Sequence, residues 1–158
     1  MAVDYFLKLA TVPGEAVADK HTGEIQVQSW SWGGSQTSTV SATSGSGAGK
    51  VSLSDLNIMI EFDKAVPKLM QGLTKGQHFA TAVLSAVKAG AGNANYLTLA
   101  LTEVFISSLQ FSASSEVPMV SVSFTYKSLQ LDYYTQDKEG TVTNAGTAKY
   151  DITTNVTS

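Results

Sequence analysis

The sequence predicts a mainly β fold: a closed antiparallel β-barrel flanked by one short α-helix, with a long extended loop. Apolar side chains recur at every second position over most of the chain, which is the period of a strand. One segment, residues 64–75, instead has helical spacing, and residues 33–50 are a nearly uncharged run rich in Gly, Ser and Thr. A length of 158 residues suits a single domain over residues 1–158.

The predicted strands begin with Val3–Leu9, where a Pro-Gly turn follows at residues 12–15. Further strands are predicted over residues 24–32, 51–62, 78–88, 96–111, 120–134 and 147–156. Two of them, 96–111 and 120–134, change the phase of their alternation part way along. Such a change indicates a bulge, and bulges bend sheets towards closure, so we expect a barrel.

The predicted helix interrupts this pattern after residue 62. Its apolar stripe has the i, i+3, i+4, i+7 spacing and consists of Val66, Leu69, Met70 and Leu73. Asp63 is expected to cap the first turn, and Gly76 to close the last one. Gly72 in the interior costs roughly 1 kcal/mol relative to Ala, so tertiary contacts must hold the helix in place.

The segment from Glu24 to Asp55 points to assembly rather than catalysis. Strict alternation places Ile25 and Val27 on one strand face and Trp30 and Trp32 on the other. The facing of the serines between the tryptophans depends on whether a bulge intervenes. The uncharged stretch rich in Gly, Ser and Thr after the tryptophans is better suited to contacting a neighbouring subunit than to binding a small substrate.

Composition excludes several function classes. There is no cysteine, so neither disulfides nor thiolate metal sites contribute. All ten basic residues are lysines and the formal charge is −3, which argues against nucleic-acid binding because phosphate and guanine recognition favour arginine. The N-terminus lacks the apolar core of a signal peptide, and no apolar run reaches the length of a membrane span. We therefore expect neither Sec-type export nor membrane insertion.

No catalytic, cofactor or metal site is predicted. The two histidines, His21 and His78, are far apart and have no ligand-spaced neighbours, so a turn residue and a strand-end residue describe them best. The run at residues 45–50 superficially matches a phosphate-binding loop, but Val51 replaces the required hydroxyl residue and a strand follows. The chain is instead rich in hydroxyls, with 19 Ser and 17 Thr. They suit either a channel wall that does not hold its cargo or an ordinary solvated sheet face.

Several motifs, taken in order, resemble the haemolysin co-regulated protein (Hcp) family, the tail-tube subunits of bacterial type VI secretion. They are M-A-V-D-Y-F-L-K-L at the start, D-K-H-T-G-E-I-Q-V at 19–27, S-W-S-W-G-G-S-Q at 29–36, G-A-G-K-V-S-L-S-D-L at 47–56, F-D-K-A-V-P-K-L-M at 62–70 and Y-L-T-L-A-L-T-E-V at 96–104. The resemblance spans almost the whole chain. The final strand departs from it, because it lacks the Trp that many relatives carry after a Gly.

The resemblance implies a homo-hexameric ring, rings stacked into a hollow tube, a VgrG-type spike protein at the tip and a contractile sheath. It also implies small effector proteins carried in the lumen, and export without a signal peptide after a cytoplasmic stage. A bacteriophage-type tail tube protein is the alternative, and a monomeric β-sandwich binding module, such as a carbohydrate binder, is a distant third.

Expected site residues follow from placing the chain in such an assembly. The extended loop is expected to contact the adjacent ring or protomer through Gly45, Gly47, Gly49 and Lys50. The signature strand is expected to carry Trp30, Trp32 and Gly33. The two tryptophans suit a binding platform or an interface anchor, and two bulky rings on one strand face most often belong to the core or to a subunit contact. Ser31 is the candidate contact to the lumen and its effectors.

Overall fold

The computed structural model describes residues 3–41, 45–88, 94–114 and 116–158, and for residues 38–41 and 45–50 it describes the backbone alone. Twelve strands and one helix occur in these ranges. In chain order they are β1 Val3–Leu9, β2 Ile25–Val27, β3 Ser29–Ser31, β4 Gly34–Ser41, β5 Gly45–Leu53, β6 Leu56–Glu61, α1 Val66–Lys75, β7 His78–Lys88, β8 Asn95–Ser112, β9 Met119–Thr125, β10 Ser128–Gln136, β11 Val142–Asp151 and β12 Val156–Thr157.

Ten of the strands form one large antiparallel sheet, and β4 and β5 form a second, two-stranded sheet. The main path of the large sheet runs β12-β11-β10-β8-β7-β1-β2. A branch leaves this path at β8, where β9 pairs with β8, β6 pairs with β9, and β3 pairs with β6. The strand β8 therefore belongs to both parts of the sheet.

The predicted closed barrel is wrong: among the described strands no sheet closes on itself. The N-terminal half of β8, up to Thr102, pairs with β10, and its C-terminal half, from Phe105, pairs with β9, whereas β7 pairs with both halves, from Asn95 to Phe105. Between the halves Glu103 has a φ of 52°, and the register with β9 shifts between Ile106 and Ser108. The predicted bend is thus present in β8, but it splits the sheet into two branches instead of returning it to its first strand.

The predicted segments 24–32 and 120–134 are each divided into two strands. The first gives β2, which pairs with β1, and β3, which pairs with β6. The second gives β9, which pairs with β6 and β8, and β10, which pairs with β8 and β11. In both segments one partner strand changes between the halves, and in 120–134 this exchange accompanies the phase change seen in the sequence.

The main core lies between the two branches of the sheet and under the helix. Its largest fully buried side chains come from β1, β2, β6, α1, β7, β8 and β9, and they are Phe124, Leu7, Ile25, Leu56, Ile60, Leu69, Leu84 and Leu101. Burial of such side chains stabilises the fold by roughly 1.5–3 kcal/mol each.

The helix α1 begins two residues later than predicted and ends at the predicted residue, and Met70 of the predicted apolar stripe is exposed. Val66 and Leu69 are buried, and Gly76 ends the helix with φ 61°, its N–H bonded to the carbonyls of Gly72 and Leu73. Asp63 accepts a 2.8 Å hydrogen bond from the N–H of Ala65, so it caps the turn that leads into the helix, while Ala65 itself is the N-cap residue.

Residues predicted as an extended loop form, in their described part, the hairpin β4–β5. Its register joins Gly34 to Leu53 and Ser41 to Gly45, with a shift between Gln36 and Ser38. Gly45 and Gly47 lie in β5, opposite β4, and Gly49 and Lys50 continue the same strand. Residues 42–44 at the tip lie outside the described residues.

Candidate assembly surface

The strand that carries the tryptophans reverses its inward face at Gln28. Ile25 and Val27 are buried in β2, yet Trp30, in β3, also packs against the main core. Gln28, between the two strands, is exposed, and its backbone N–H donates a 2.7 Å hydrogen bond to the carbonyl of Met59. Because one residue is inserted into the alternation, both the aliphatic pair and the tryptophans face the core. Ser31 consequently faces outwards.

Trp32 fixes the base of the hairpin by a chain of hydrogen bonds. Its Nε1–H donates a 2.6 Å bond to the Tyr126 hydroxyl, which donates a 2.8 Å bond to the carbonyl of Ser54. The Ser54 hydroxyl accepts a 2.9 Å bond from the N–H of Gly33, and the N–H of Ser54 returns a 2.8 Å bond to the carbonyl of Gly33. Burial raises the pKa of Tyr126, and the bond from Trp32 only partly opposes this, so the phenol remains a donor at neutral pH. Residues 32–34 and 53–54 are thereby held together where the hairpin leaves the large sheet.

Beyond this base, the hairpin stands apart from the rest of the chain. Among the described strands, β4 pairs only with β5, and β5 only with β4. An isolated two-stranded hairpin is at best marginally stable in water. The hairpin therefore needs a further partner to become a well-ordered element.

The outward faces of β3, β6, β9 and the C-terminal half of β8 form a polar surface, called here the hydroxyl face. Strand pairing aligns its residues in rows across the sheet. One row contains Ser31, Asn57, Ser123 and Ser108, and the next contains Ser29, Met59, Ser121 and Gln110. The Ser123 hydroxyl donates to Asn57 Oδ1, and Asn57 Nδ2 donates a 3.3 Å bond to the carbonyl of Asp55. These two rows carry no formal charge.

An apolar groove of about 410 Å³ opens between the tryptophans and the inner face of β8, β10 and β11. Its lining includes Trp30, Trp32, Leu97, Leu99, Leu129 and Leu131. Of these, Leu131 exposes 38% of its surface.

His21, predicted to be a simple turn residue, is buried to 4% exposure. Its Nδ1 lies 3.0 Å from Glu24 Oε1 and its Nε2 lies 2.9 Å from Asn95 Oδ1. The ring stacks on Phe6 with centroids 4.7 Å apart. His21 thus joins the β1–β2 connection to the start of β8. The H-T-G-E turn gave a local signal for the contact with Glu24, but Asn95 is 74 residues away and gave none.

Among the described residues, no group of three or more Asp, Glu or His side chains is placed to hold a metal ion. His78 pairs with Glu103 at the surface. It is far from His21 in the sequence and, within the described ranges, shares no contact residue with it. In the part of the chain that is described, no helix has both the length and the hydropathy needed to cross a bilayer.

The structure brings some of the expected site residues together. Trp30, Trp32 and Gly33 lie at the base of the hairpin, and Ser31 lies beside them on the opposite, outward face of the sheet. The backbones of Gly45, Gly47, Gly49 and Lys50 lie further along the hairpin, in β5. A projecting hairpin, a polar face with two uncharged rows and an open apolar groove are features of the class of proteins that assemble with other protein chains.

Comparison with known proteins specifies which class this is. The family model described as type VI secretion system effector, Hcp, matches residues 6–133. Protein hcp1 of Pseudomonas aeruginosa is 43% identical over 153 residues, covering 95% of this chain and 94% of that protein. The chain belongs to the Hcp family of the type VI secretion system, so the resemblance seen in the sequence is confirmed.

Solved structures agree with this assignment. A structure of a type six secretion system protein superposes with a TM-score of 0.91 at 30% identity, covering 99% of this chain and all of the other. Hcp1 from Salmonella typhimurium superposes with a TM-score of 0.80 at 31% identity, with both chains fully covered. The function is that of a type VI secretion tube subunit, and a bacteriophage-type tail tube is not favoured.

Proposed function

We propose that six copies of this chain form a ring and that rings stack into a hollow tube whose channel is lined by the hydroxyl face. Ser31 carries this proposal, because it is exposed in a row that continues through Asn57 and Ser123 to Ser108. A wet surface with little charge presents hydrogen-bonding groups without strong electrostatic attraction for one kind of cargo. Such a channel wall suits small effector proteins, which must bind to the wall weakly, move with the tube and then be released from it.

The hairpin β4–β5 supplies the contact between copies in this proposal. It leaves the sheet at a rigid base, and it has no strand partner within the described part of its own chain. Gly45, Gly47, Gly49 and Lys50 lie on it and are proposed to contact the adjacent protomer or ring. Docking must offset the entropy lost on ordering this segment, so stacking of isolated rings depends on protein concentration.

The remaining partners follow from membership of the family and complete the proposal. A VgrG-type spike protein caps the tube and a contractile sheath expels it, so the chain is secreted without a signal peptide after assembly in the cytoplasm. We propose a structural role without catalysis.

The experiment that tests the channel assignment replaces Ser31 by Gln and measures the abundance of effectors that co-purify with the rings. The longer side chain narrows the channel at a contact position, so we expect less effector with the same amount of ring. Thr81→Gln is the matched control, since Thr81 is exposed on β7, outside the hydroxyl face. Unchanged effector abundance in Ser31→Gln, with rings intact by electron microscopy, would contradict the assignment.

A further inference from the structure

In the described part of the chain, the large sheet has a free edge along most of β11, where no neighbouring strand pairs with it. One side of β11 pairs with β10 along its whole length, but the other side pairs with β12 only at Tyr150 and Asp151. Lys149 also exchanges backbone hydrogen bonds with Ser158, at 2.7 and 2.9 Å. Among the described residues, no strand lies on that side of residues 142–148.

This edge lacks most of the devices that protect edge strands from pairing with other chains. Residues 142–148 contain no charged residue and no proline, and one register shift, opposite Tyr133 and Tyr134, is the only interruption. Natural proteins usually place lysine or proline on such an edge to prevent association. An unprotected edge on a chain that assembles with itself indicates an edge that is used.

The backbone geometry shows which groups are available. Lys149 directs its N–H and carbonyl towards Ser158, away from β10. Because these directions alternate along an antiparallel strand, Thr147 directs its own N–H and carbonyl to the same free side. Side chains of an added strand would meet the apolar groove, whose lining includes Ala148 and Tyr150 of β11. Backbone pairing combined with side-chain pockets is the usual mode of strand addition.

The β4–β5 hairpin also has free strand edges, which are able to pair with the free edge of β11. Its strands, of 8 and 9 residues, have free outer edges in the described part of the chain. Residues 34–49 contain neither a charged residue nor a proline. A third strand would convert the marginal hairpin into a stable sheet.

We propose that the free edge of β11 accepts the β4–β5 hairpin of a neighbouring copy as an added strand. The inference rests on the proposed self-assembly and specifies the contact that produces it. It makes the hairpin of each protomer the continuation of the large sheet of the next, so the two unprotected edges disappear together.

Cysteine cross-linking tests the proposal directly, because the natural chain has no cysteine. Thr147→Cys is combined with Gln36→Cys on β4 or with Ser52→Cys on β5, and assembled protein is treated with a short bismaleimide. We expect a ladder of covalent oligomers from at least one pair. Lys68→Cys on the exposed face of α1, combined with Thr147→Cys, is the control and is expected to give none.

A second variant tests the edge without cross-linking. Thr147→Lys places a charge on the free edge and is expected to cause loss of assembly by analytical sedimentation, while the circular dichroism spectrum is retained. Gln26→Lys on β2, the short strand at the other end of the main path, is the matched control and is expected to assemble normally.

The outcomes separate this inference from the proposed function. If the unmodified chain sediments as a monomer at all concentrations, both are overturned. If it assembles, but neither cysteine pair cross-links and Thr147→Lys assembles normally, the strand addition is overturned and the tube remains. Cross-linking of Gln36→Cys with itself, without any cross-link to position 147, also overturns it, because the hairpins would then pair with each other.

Discussion

The indole Nε1–H of Trp32 donates a 2.6 Å hydrogen bond to the hydroxyl of Tyr126, 94 residues further along the chain. Tyr126 is 8% exposed and passes the interaction on to the carbonyl of Ser54. The two ends of the hairpin are therefore attached to the residue that joins β9 to β10. Loss of this contact affects the position of the hairpin more than the core beneath it.

Replacing Tyr126 by Phe removes the hydroxyl but keeps the ring. We expect a loss of about 1–3 kcal/mol in the free energy of unfolding, because the Trp32 N–H and the Ser54 carbonyl both lose their partner. Urea denaturation followed by tryptophan fluorescence measures it. Tyr150→Phe is the control, since the exposed hydroxyl bond of Tyr150 to Asn155 competes with water, and it is expected to change the free energy by less than about 0.5 kcal/mol. Equal effects of the two substitutions would contradict the role given to Tyr126.

The two histidines offer a matched comparison. We expect His21→Ala to lower the free energy of unfolding by about 1–3 kcal/mol, because the buried ring loses contacts with Glu24, Asn95 and Phe6. His78→Ala is expected to cost less than about 1 kcal/mol, since its pair with Glu103 is exposed. Thermal denaturation at neutral pH measures both. A His21→Ala variant as stable as His78→Ala would show that the buried contacts contribute nothing to stability.

Local features were predictable from the sequence, and long-range pairing was not. The helix and its Gly76 end depend on residues within four positions of one another, so the spacing of Val66 and Leu69 was sufficient. The prediction of a closed barrel was wrong because closure depends on which strands pair with β8 on each side of Glu103. The alternation of apolar residues does not predict strand partners.

The candidate site shows the same division. The apolar alternation revealed the strands around Trp30, but not the insertion at Gln28 that turns Ser31 outwards. That insertion arises because the strand exchanges β1 for β6 as its partner, and β6 begins at Leu56, far along the chain. The burial of His21 was not predicted for the same reason, since its bond to Asn95 comes from another strand.

Gly72 is expected to resist substitution although it lies inside a helix. A Cβ at this position would lie 2.9 Å from Phe79 Cζ and 3.2 Å from Ile106 Cδ1. Overpacking costs about 1–3 kcal/mol, which exceeds the roughly 1 kcal/mol that Ala gains in helix propensity. We therefore expect Gly72→Ala to lower the free energy of unfolding. Gln71→Ala, on the exposed side of the helix, is the control and is expected to be neutral. A stabilised Gly72→Ala variant would show that the side chains of Phe79 and Ile106 move aside without cost.

The turn after β11 is expected to respond to acid. Hydrogen bonds, first from the Thr153 hydroxyl and then from the backbone of Thr154, lower the pKa of Asp151 to about 2 from an ordinary value of 3.8. Because the pKa is lowered in the folded state, the stabilisation is fully present above the ordinary value and is lost as the pH falls through about 2. Titration of the Asp151 carboxyl carbon by NMR measures the pKa, and in Thr153→Ala it is expected to rise towards 3.8. An ordinary pKa in the unmodified chain would contradict the assignment.

Shortening the hairpin separates folding from assembly. Replacing residues 38–48 by a two-residue turn removes most of β4 and β5 but leaves Trp32, Gly33 and Ser54 to close the base. Among the described residues, the large sheet has no pairing with the removed strands. We therefore expect the free energy of unfolding to remain within about 1 kcal/mol of that of the unmodified chain. Tube growth is expected to stop, because the segment proposed to reach the neighbouring copy is missing. Electron microscopy of the purified protein measures tube length. The control for spacing is a variant in which a Gly-Ser sequence of the same number of residues replaces residues 38–48. Tubes of normal length from the shortened chain would show that the hairpin does not join the copies.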